Sequence, residues 1–549
     1  MRFINKLFYT VALSILPIVG FAQSEEKPKP NWQNLDLKQD GVFGISTEKA
    51  YTNLLKGKSS KPVIVAVIDG GIDEEHEDLK SIMWTNIKEI AGNKVDDDKN
   101  GYIDDVNGWN FIGSAKGNVQ YDNTELTRLI AKLQPKYSAA LNTTPFIEKE
   151  KLEFLSYQKM IAVYMDELQK ARMGSENTFL FNKYLGEIMA KMKKNDPTLT
   201  DFEVYKPASE IEGRVLKAIK SELKKNPDFN KLKDDLKDGL KYYDTTLKYH
   251  LNLDYNPRDL VGDNYFNSNE HIYGNSDVTG PDADHGTHVG GIIAASRNND
   301  LGIKGVADNV KIMSIRTVPD GDERDKDVAN AIRYAVDNNA KIINMSFGKS
   351  YSWDKKVVDE AVKYAMSKNV LLIHAAGNDG KNTDKENNFP NRLFVDSLGV
   401  NMGKADLWIE VGASGWKNDD KLVADFSNYG KQSVDVFAPG VKINSTLPDS
   451  KYKDNDGTSM ASPVVAGLAA MIWSYFPTLS ALQIKEVIIN SVSKVDQKVK
   501  VKENGNSKKV AFAEVCVSGG IVNAFDAVLL AEKISKSNSS ASQIGAKLN

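Results

Sequence analysis

Two rhythms of apolar residues divide the chain. Val63 to Ile68 is an unbroken β-branched and small apolar run, and Lys311 to Ile315, Lys341 to Met345, Val370 to Ala376, Val411 to Ala413 and Val434 to Ala438 read as further strands. Such runs predict strands buried on both faces, as in a parallel sheet. Helical patterns alternate with them: Asp327 to Asn338, the small-residue run from His285 to Ala295, and the apolar stretch Val464 to Phe476. Strands alternating with helices predict an α/β fold. From about Gly113 to His250 the period becomes helical throughout, with Leu126, Leu129, Ile130 and Leu133, then Ile161, Tyr164, Met165 and Leu168, then Leu236, Leu240, Tyr243 and Leu247. Lysine and glutamate fill the other faces, Pro197 and Pro227 mark breaks, and a mainly helical insertion over 115–255 is expected.

Chemistry concentrates where these elements begin and end. In Asp456-Gly-Thr-Ser-Met-Ala-Ser-Pro463 a glycine turn leads into the apolar stretch, with Ser459 where a helix would start and Pro463 in its first turn. A serine there lies beside unpaired backbone N–H groups, which suits a nucleophile whose intermediate is negatively charged. Such a serine needs a base, and the base needs a carboxylate. His285 opens His-Gly-Thr-His-Val-Gly-Gly, and Asp69 ends the Val63 strand, where open α/β sheets place their chemistry. His288 invites a metal reading, but the zinc-protease signature of two histidines four apart with an adjacent glutamate is absent. Asp73 reads as a loop or cap residue.

The three motifs, in the order Asp, His, Ser, resemble those of the subtilisin-like serine proteases. The resemblance covers about residues 60–115 and 280–532. It implies a three-layer fold around a mostly parallel sheet, with Ser459 as nucleophile, His285 as base and Asp69 as its orienter. It further implies that Asn378 of Ala-Ala-Gly-Asn stabilises the oxyanion beside the backbone N–H of Ser459. Ser346, Phe347 and Gly348 resemble the segment that pairs with the substrate backbone and walls the primary specificity pocket, with Ala375, Ala376 and Gly377 opposite. The resemblance thus implies an endopeptidase acting on proteins or peptides. A catalytically silent peptide-binding protein on the same fold is the alternative, and a silent homologue would be free to lose members of the four-group set. A non-proteolytic serine hydrolase is a third reading, opposed by the peptide-pairing segment. The loop Pro319 to Asp325 lies where relatives form the other wall of the cleft; its acidity either favours basic substrate side chains or is simply solvated.

Asp96, Asp98 and Asn100, followed by Gly101, match the first positions of an EF-hand-like loop, with Tyr102 offering its carbonyl and Asp104 or Asp105 closing the shell. A structural Ca²⁺ is expected there, although Asn107 stands where a closing glutamate belongs. The chain has 549 residues, 41% hydrophobic and 26% charged, with net charge -3, which argues against nucleic acid as a partner. Residues 1–22 read as a secretory signal peptide and no later stretch as a membrane span, so an exported monomer is expected, in the periplasm or outside the cell. Residues 23–60 form a lead-in too short for the propeptide domain of many secreted relatives. The peptidase domain is assigned to 61–114 and 256–533, and the serine- and lysine-rich 534–549 to a disordered tail. Cys516, the single cysteine, lies in an alternating run that predicts a late strand and a buried thiol.

Overall fold

A computed structural model describes residues 27–396, 400–503 and 505–547. The signal-peptide assignment lies outside the described residues. The chain divides into two compact units, one from Leu126 to Tyr255, the other from Pro28 to Glu125 together with Asn256 to Asn549.

The larger unit is built on a sheet of nine strands among the described residues. In chain order these are β1 (Val63–Asp69), β2 (Gly108–Asn110), β3 (Val310–Arg316), β4 (Ile342–Met345), β5 (Leu371–Ala375), β6 (Trp408–Ser414), β7 (Val436–Pro439), β8 (Ser493–Lys494) and β9 (Gly520–Ile521). Their spatial order is β8-β9-β7-β6-β5-β4-β1-β3-β2, and every pairing is parallel except β8 with β9. The run Val63 to Ile68 is unbroken because both faces of β1 are covered. Val65 and Val67 of β1 pack with Val289 and Ile292 of helix α1 (Asp284–Ala294). Alternate residues Ala66 and Ile68 pack on the opposite face with Val328 and Ile332 of α2 (Asp325–Asp337) and Val358 of α3 (Lys355–Ser367). Helix α4 (Thr458–Tyr475) lies on the α1 side, where Val464, Leu468 and Met471 are fully buried. The result is the expected three-layer α/β arrangement, and the carboxyl ends of β1, β4 and β5 lie side by side.

The smaller unit is mainly helical, with Glu148–Met192, Leu199–Val204, Glu210–Lys225 and Phe229–Thr245 as its main helices. Its core joins Leu185 and Ile188 to Phe202, Val215, Ile219, Phe229 and Leu236. Helices end before Pro197 and Pro227 and restart after them, since proline cannot supply the N–H that the ladder needs. The unit starts at Leu126, so residues 115–125 belong with the sheet.

Two local expectations differ from the structure. Cys516 is buried, but it follows a 3₁₀ turn at Phe512–Glu514 and lies outside any strand, so its alternating neighbourhood reflects a folded loop. The final helix, Ala524–Lys547, runs through most of the stretch whose composition suggests disorder.

Candidate active site

β1 delivers Asp69 to the sheet's carboxyl edge, where its side chain is buried. His285, second residue of α1, places Nδ1 2.8 and 3.0 Å from the two Asp69 carboxylate oxygens. The Nδ1–H donates to this acceptor, so Nε2 carries the free lone pair. Gly286 makes the approach possible: a Cβ there would stand 2.2 Å from the Gly71 carbonyl oxygen and 3.1 Å from Asp69 Cβ. Desolvation of the ring lowers the His285 pKa, but the charge and hydrogen bond of Asp69, helped by Asp282, outweigh it and hold the pKa above its ordinary value. His288, one turn further into α1, is buried and donates from Nε2 to the Lys453 carbonyl at 3.0 Å, which marks it as a packed core histidine.

Ser459 lies in the first turn of α4 and is half-buried. Its hydroxyl donates to the Ser346 carbonyl at 2.9 Å, and among the described residues no hydrogen bond joins it to His285. Asn378 follows β5 and is exposed. Its Oδ1 accepts from both the backbone N–H and the hydroxyl of Thr458, each at 2.9 Å, and this turns Nδ2 outward. A Cβ on Gly457 would lie 3.5 Å from Ser459 N and 3.7 Å from Asn378 Nδ2. Both donors therefore border one small volume, which glycine leaves open.

The segment after β4 carries the proposed pocket wall. Ser346 is buried, with its hydroxyl 3.0 Å from the Ser459 carbonyl and 2.8 Å from Ser462 Oγ, so its side chain fixes the start of α4. Phe347 turns its ring toward His374 and the core, whereas Gly348 is exposed. Opposite stand Ala375 and Ala376, both buried, and Gly377 at φ 100°, whose N–H donates to Thr458 Oγ1. Two further residues frame these walls. Asn428 Nδ2 donates to the Ala376 carbonyl at 2.8 Å, and Asn388 Nδ2 donates to the Ala375 and Ala376 carbonyls at 3.3 and 3.1 Å. Asn388 does not stand out in sequence, because an asparagine in a polar loop signals only a turn, whereas Asn428 lies in Asp425 to Gly430, which resembles a loop of the family.

Most charges of the acidic loop before α2 turn inward, while Asp320 is exposed. Asp322 accepts from the Glu125 N–H, Arg324 forms a bidentate pair with Asp122, and Asp325 pairs with the buried Lys349 at 2.7 Å. Burial pushes the Glu323 carboxyl up to about 7, against the pull of Lys349. A selectivity for basic substrates does not follow from such a loop.

At the acidic loop after β1, the structure gathers Glu89, Asp96 and Asp98, whose ligand oxygens lie within 4.8 Å of one another. Glu89 comes from seven residues upstream of the repeat, where no spacing rule points to it. Asp104 is turned to the backbone N–H groups of Asn93 and Lys94, and Asp105 is buried against Tyr334, Asn86 and Asn100. Asn100 Oδ1 accepts from the Tyr102 N–H. The three gathered carboxylates fit a hard, oxygen-seeking cation.

A family model described as the subtilase family matches residues 60–512. The thermophilic serine proteinase of Bacillus sp. (strain AK1) is 39% identical over 212 residues, 38% of this chain and 47% of that protein. Thermitase of Thermoactinomyces vulgaris is 38% identical over 212 residues, 38% of this chain and 68% of its own. Subtilisin E of Bacillus subtilis (strain 168) is 38% identical over 205 residues, 37% of this chain and 49% of that protein. The chain thus spans about half the length of two of these relatives and about two thirds of the third. With most of its length matched by the family model, and with its aspartate, histidine, serine and asparagine motifs at the ends of adjoining strands and helices, this chain belongs to the subtilase family.

Proposed function

We propose that the chain is an exported serine endopeptidase that hydrolyses peptide bonds through an acyl-enzyme. The observations that carry this reading are the pairing of His285 with Asp69 and a serine whose backbone N–H shares a small volume with Asn378 Nδ2. Ser459 Oγ would turn from the Ser346 carbonyl to His285 Nε2, give up its proton there and attack the scissile carbonyl carbon. Asp69 holds the imidazole in the reactive tautomer and stabilises its protonated form. The oxyanion would take hydrogen bonds from Ser459 N–H and Asn378 Nδ2. His285 then protonates the leaving amine, and a water deprotonated by His285 cleaves the ester. Substrate backbone pairing at Ser346 to Gly348, facing Ala375 to Gly377, would set the register.

Calcium belongs to the same proposal. Glu89, Asp96 and Asp98 would hold a Ca²⁺ that ties the loop together, with Asn100, Tyr102, Asp104 and Asp105 as the wider frame expected from sequence. Among the described residues no helix is long and apolar enough to cross a membrane, and export rests on the sequence of residues 1–22.

The test compares the chain lacking residues 1–22 with a Ser459→Ala copy on denatured casein, with calcium and with chelator. Hydrolysis that vanishes in Ser459→Ala supports the reading. Equal hydrolysis in both, or none from a folded chain, overturns it. A melting temperature indifferent to chelation rejects the calcium site.

A further inference from the structure

Arg316, the last residue of β3, is a buried cation without a carboxylate partner. It is 1% exposed, and among the described residues its hydrogen bonds go to uncharged oxygens only. Nε donates to the Gly70 carbonyl at 2.7 Å, one Nη donates to Asn110 Oδ1 at 3.2 Å and to the Ile112 carbonyl at 3.5 Å, and the other donates to the Val119 carbonyl. Burial pulls its pKa down to about 10, against the charges of Asp277 and Asp282. A guanidinium taken out of water without an anion is expensive, and an apolar side chain would fill the same space at lower cost. What an apolar side chain cannot do is hold a carbonyl.

The carbonyl it holds belongs to the turn that carries Asp69. The register of β1 on β3 sets Asp69 directly beside Arg316. The Gly70 N–H donates to Asp69 Oδ1 at 2.7 Å, and the N–H groups of Thr317 and Val318 donate to the Asp69 carbonyl at 2.9 and 3.1 Å. The turn has little room to move: Gly286 of α1 meets the Gly71 carbonyl, and a Cβ on Gly71 would stand 2.0 Å from the Thr279 carbonyl oxygen. Gly280, at φ 68°, lies against the guanidinium, where a Cβ would come within 2.2 Å of Arg316 Nε, and the chain runs on from there to His285.

The far end of the fork is fixed. Asn110 Oδ1 also accepts from the Ile112 N–H at 3.0 Å, its Nδ2 donates to Asn118 Oδ1 and Asn275 Oδ1 at 2.8 Å, and the Phe111 N–H donates to the Arg316 carbonyl at 2.9 Å. A planar guanidinium with donors on both sides connects that ledge rigidly to Gly70. A lysine, with one compact ammonium on a flexible stem, cannot span the two.

We infer that Arg316 is a positioning residue for catalysis: its guanidinium ties the Gly70 carbonyl to the β2–β3 edge of the sheet and so holds Asp69 in the place from which it binds His285. The inference rests on the endopeptidase reading above.

Three variants test it on a peptide p-nitroanilide. Arg316→Lys keeps the charge and loses the fork, Arg316→Met loses both, and Gly280→Ala leaves Arg316 in the chain but drives a methyl group against it. Each should lower kcat at least tenfold with KM within twofold, since misplacements near 1 Å cost about 10²-fold. The acid limb of kcat/KM should move to lower pH as the hold of Asp69 on His285 weakens. A second readout needs no activity: in Ser459→Ala protein, the low-field proton resonance of His285 Nδ1–H, assigned by its loss in His285→Ala, should move upfield or broaden in each variant. Circular dichroism shows which variants are folded. Folded variants with kcat, acid limb and resonance unmoved overturn the inference. So does full activity in Arg316→Lys, and so does loss of the fold in all three, which makes Arg316 a determinant of folding instead. A folded, unaltered chain that leaves denatured casein intact removes the endopeptidase reading, and the resonance then decides by itself whether Arg316 holds Asp69 on His285.

Discussion

His288 makes the fold acid-sensitive by an amount that follows from its surroundings. It is fully buried in α1, its Nε2–H is bound to the Lys453 carbonyl, and its Nδ1 has no hydrogen-bond partner among the described residues. Burial, with a lesser contribution from the nearby charge of His285, pushes its pKa down to about 4, against 6.5 for an exposed histidine. Between these two values the unfolded chain binds a proton that the folded chain refuses, so stability falls as pH falls. The effect is absent above pH 6.5 and complete below pH 4. At 1.36 kcal/mol per pH unit, the gap corresponds to about 3 kcal/mol. His288→Gln keeps an amide donor for Lys453 and removes the titration. Other groups act in both proteins, so the difference between them isolates this one residue. The assay is denaturant unfolding at pH 7, 6, 5 and 4, in a Ser459→Ala background that prevents self-digestion, read by tryptophan fluorescence. All seven tryptophans lie in the sheet unit, so the signal reports that unit alone. The His288 protein should lose about 3 kcal/mol relative to His288→Gln across this range. A difference that stays constant with pH, or moves the other way, refutes the reasoning.

Four further outcomes are expected. Gly286→Ala places a Cβ against the Gly71 carbonyl and should displace His285 from Asp69, lowering kcat/KM by about 10²-fold, as misplacements near 1 Å do, with the circular dichroism spectrum unchanged. Asp69→Asn should lower kcat by about 10⁴-fold; because Asp69 raises the His285 pKa, the acid limb of the kcat/KM profile should lie at lower pH in the variant than in the unaltered chain. Asn378→Ala should lose about 2.7–4 kcal/mol of transition-state stabilisation in kcat, a magnitude taken from subtilisin, a member of this family. Lys349→Met leaves Glu125 and Asp325 buried without their cation and should destabilise the sheet unit by about 3–5 kcal/mol in fluorescence-detected unfolding.

What was legible in the sequence is what the chemistry requires to be contiguous. Asp69 must end a buried strand, His285 must follow a turn and precede small residues that let α1 reach Asp69, and Ser459 must open a helix after a glycine. Each condition writes itself into a few adjacent positions. The two faces of the sheet were equally readable, because Val65 and Val67 need one apolar layer and Ala66 and Ile68 another. The helical unit declared itself through its period, although Met165, which fits the apolar pattern, is 54% exposed.

What was hidden arrives from a distance. Glu89 joins Asp96 and Asp98 from outside the calcium-like repeat, and no local rule connects a glutamate in one loop with aspartates in the next. The charges of the 319–325 loop looked available for substrate because their partners, Asp122, Glu125 and Lys349, are far away in sequence. In sequence, Asp122 and Glu125 precede the helical unit and Lys349 follows the segment Ser346 to Gly348. The chain leaves the sheet at Glu125 and returns at Asn256, and both departures are fastened by buried ion pairs, Glu125 with Lys349 and Arg258 with Asp263 and Asp327. A buried cation held by two carboxylates is costly to disturb. The same lysine that secures the start of the insertion therefore secures Gly348 and, through Phe389, Asn388. Reaction type is written in local motifs because its groups must be made reactive by their immediate neighbours.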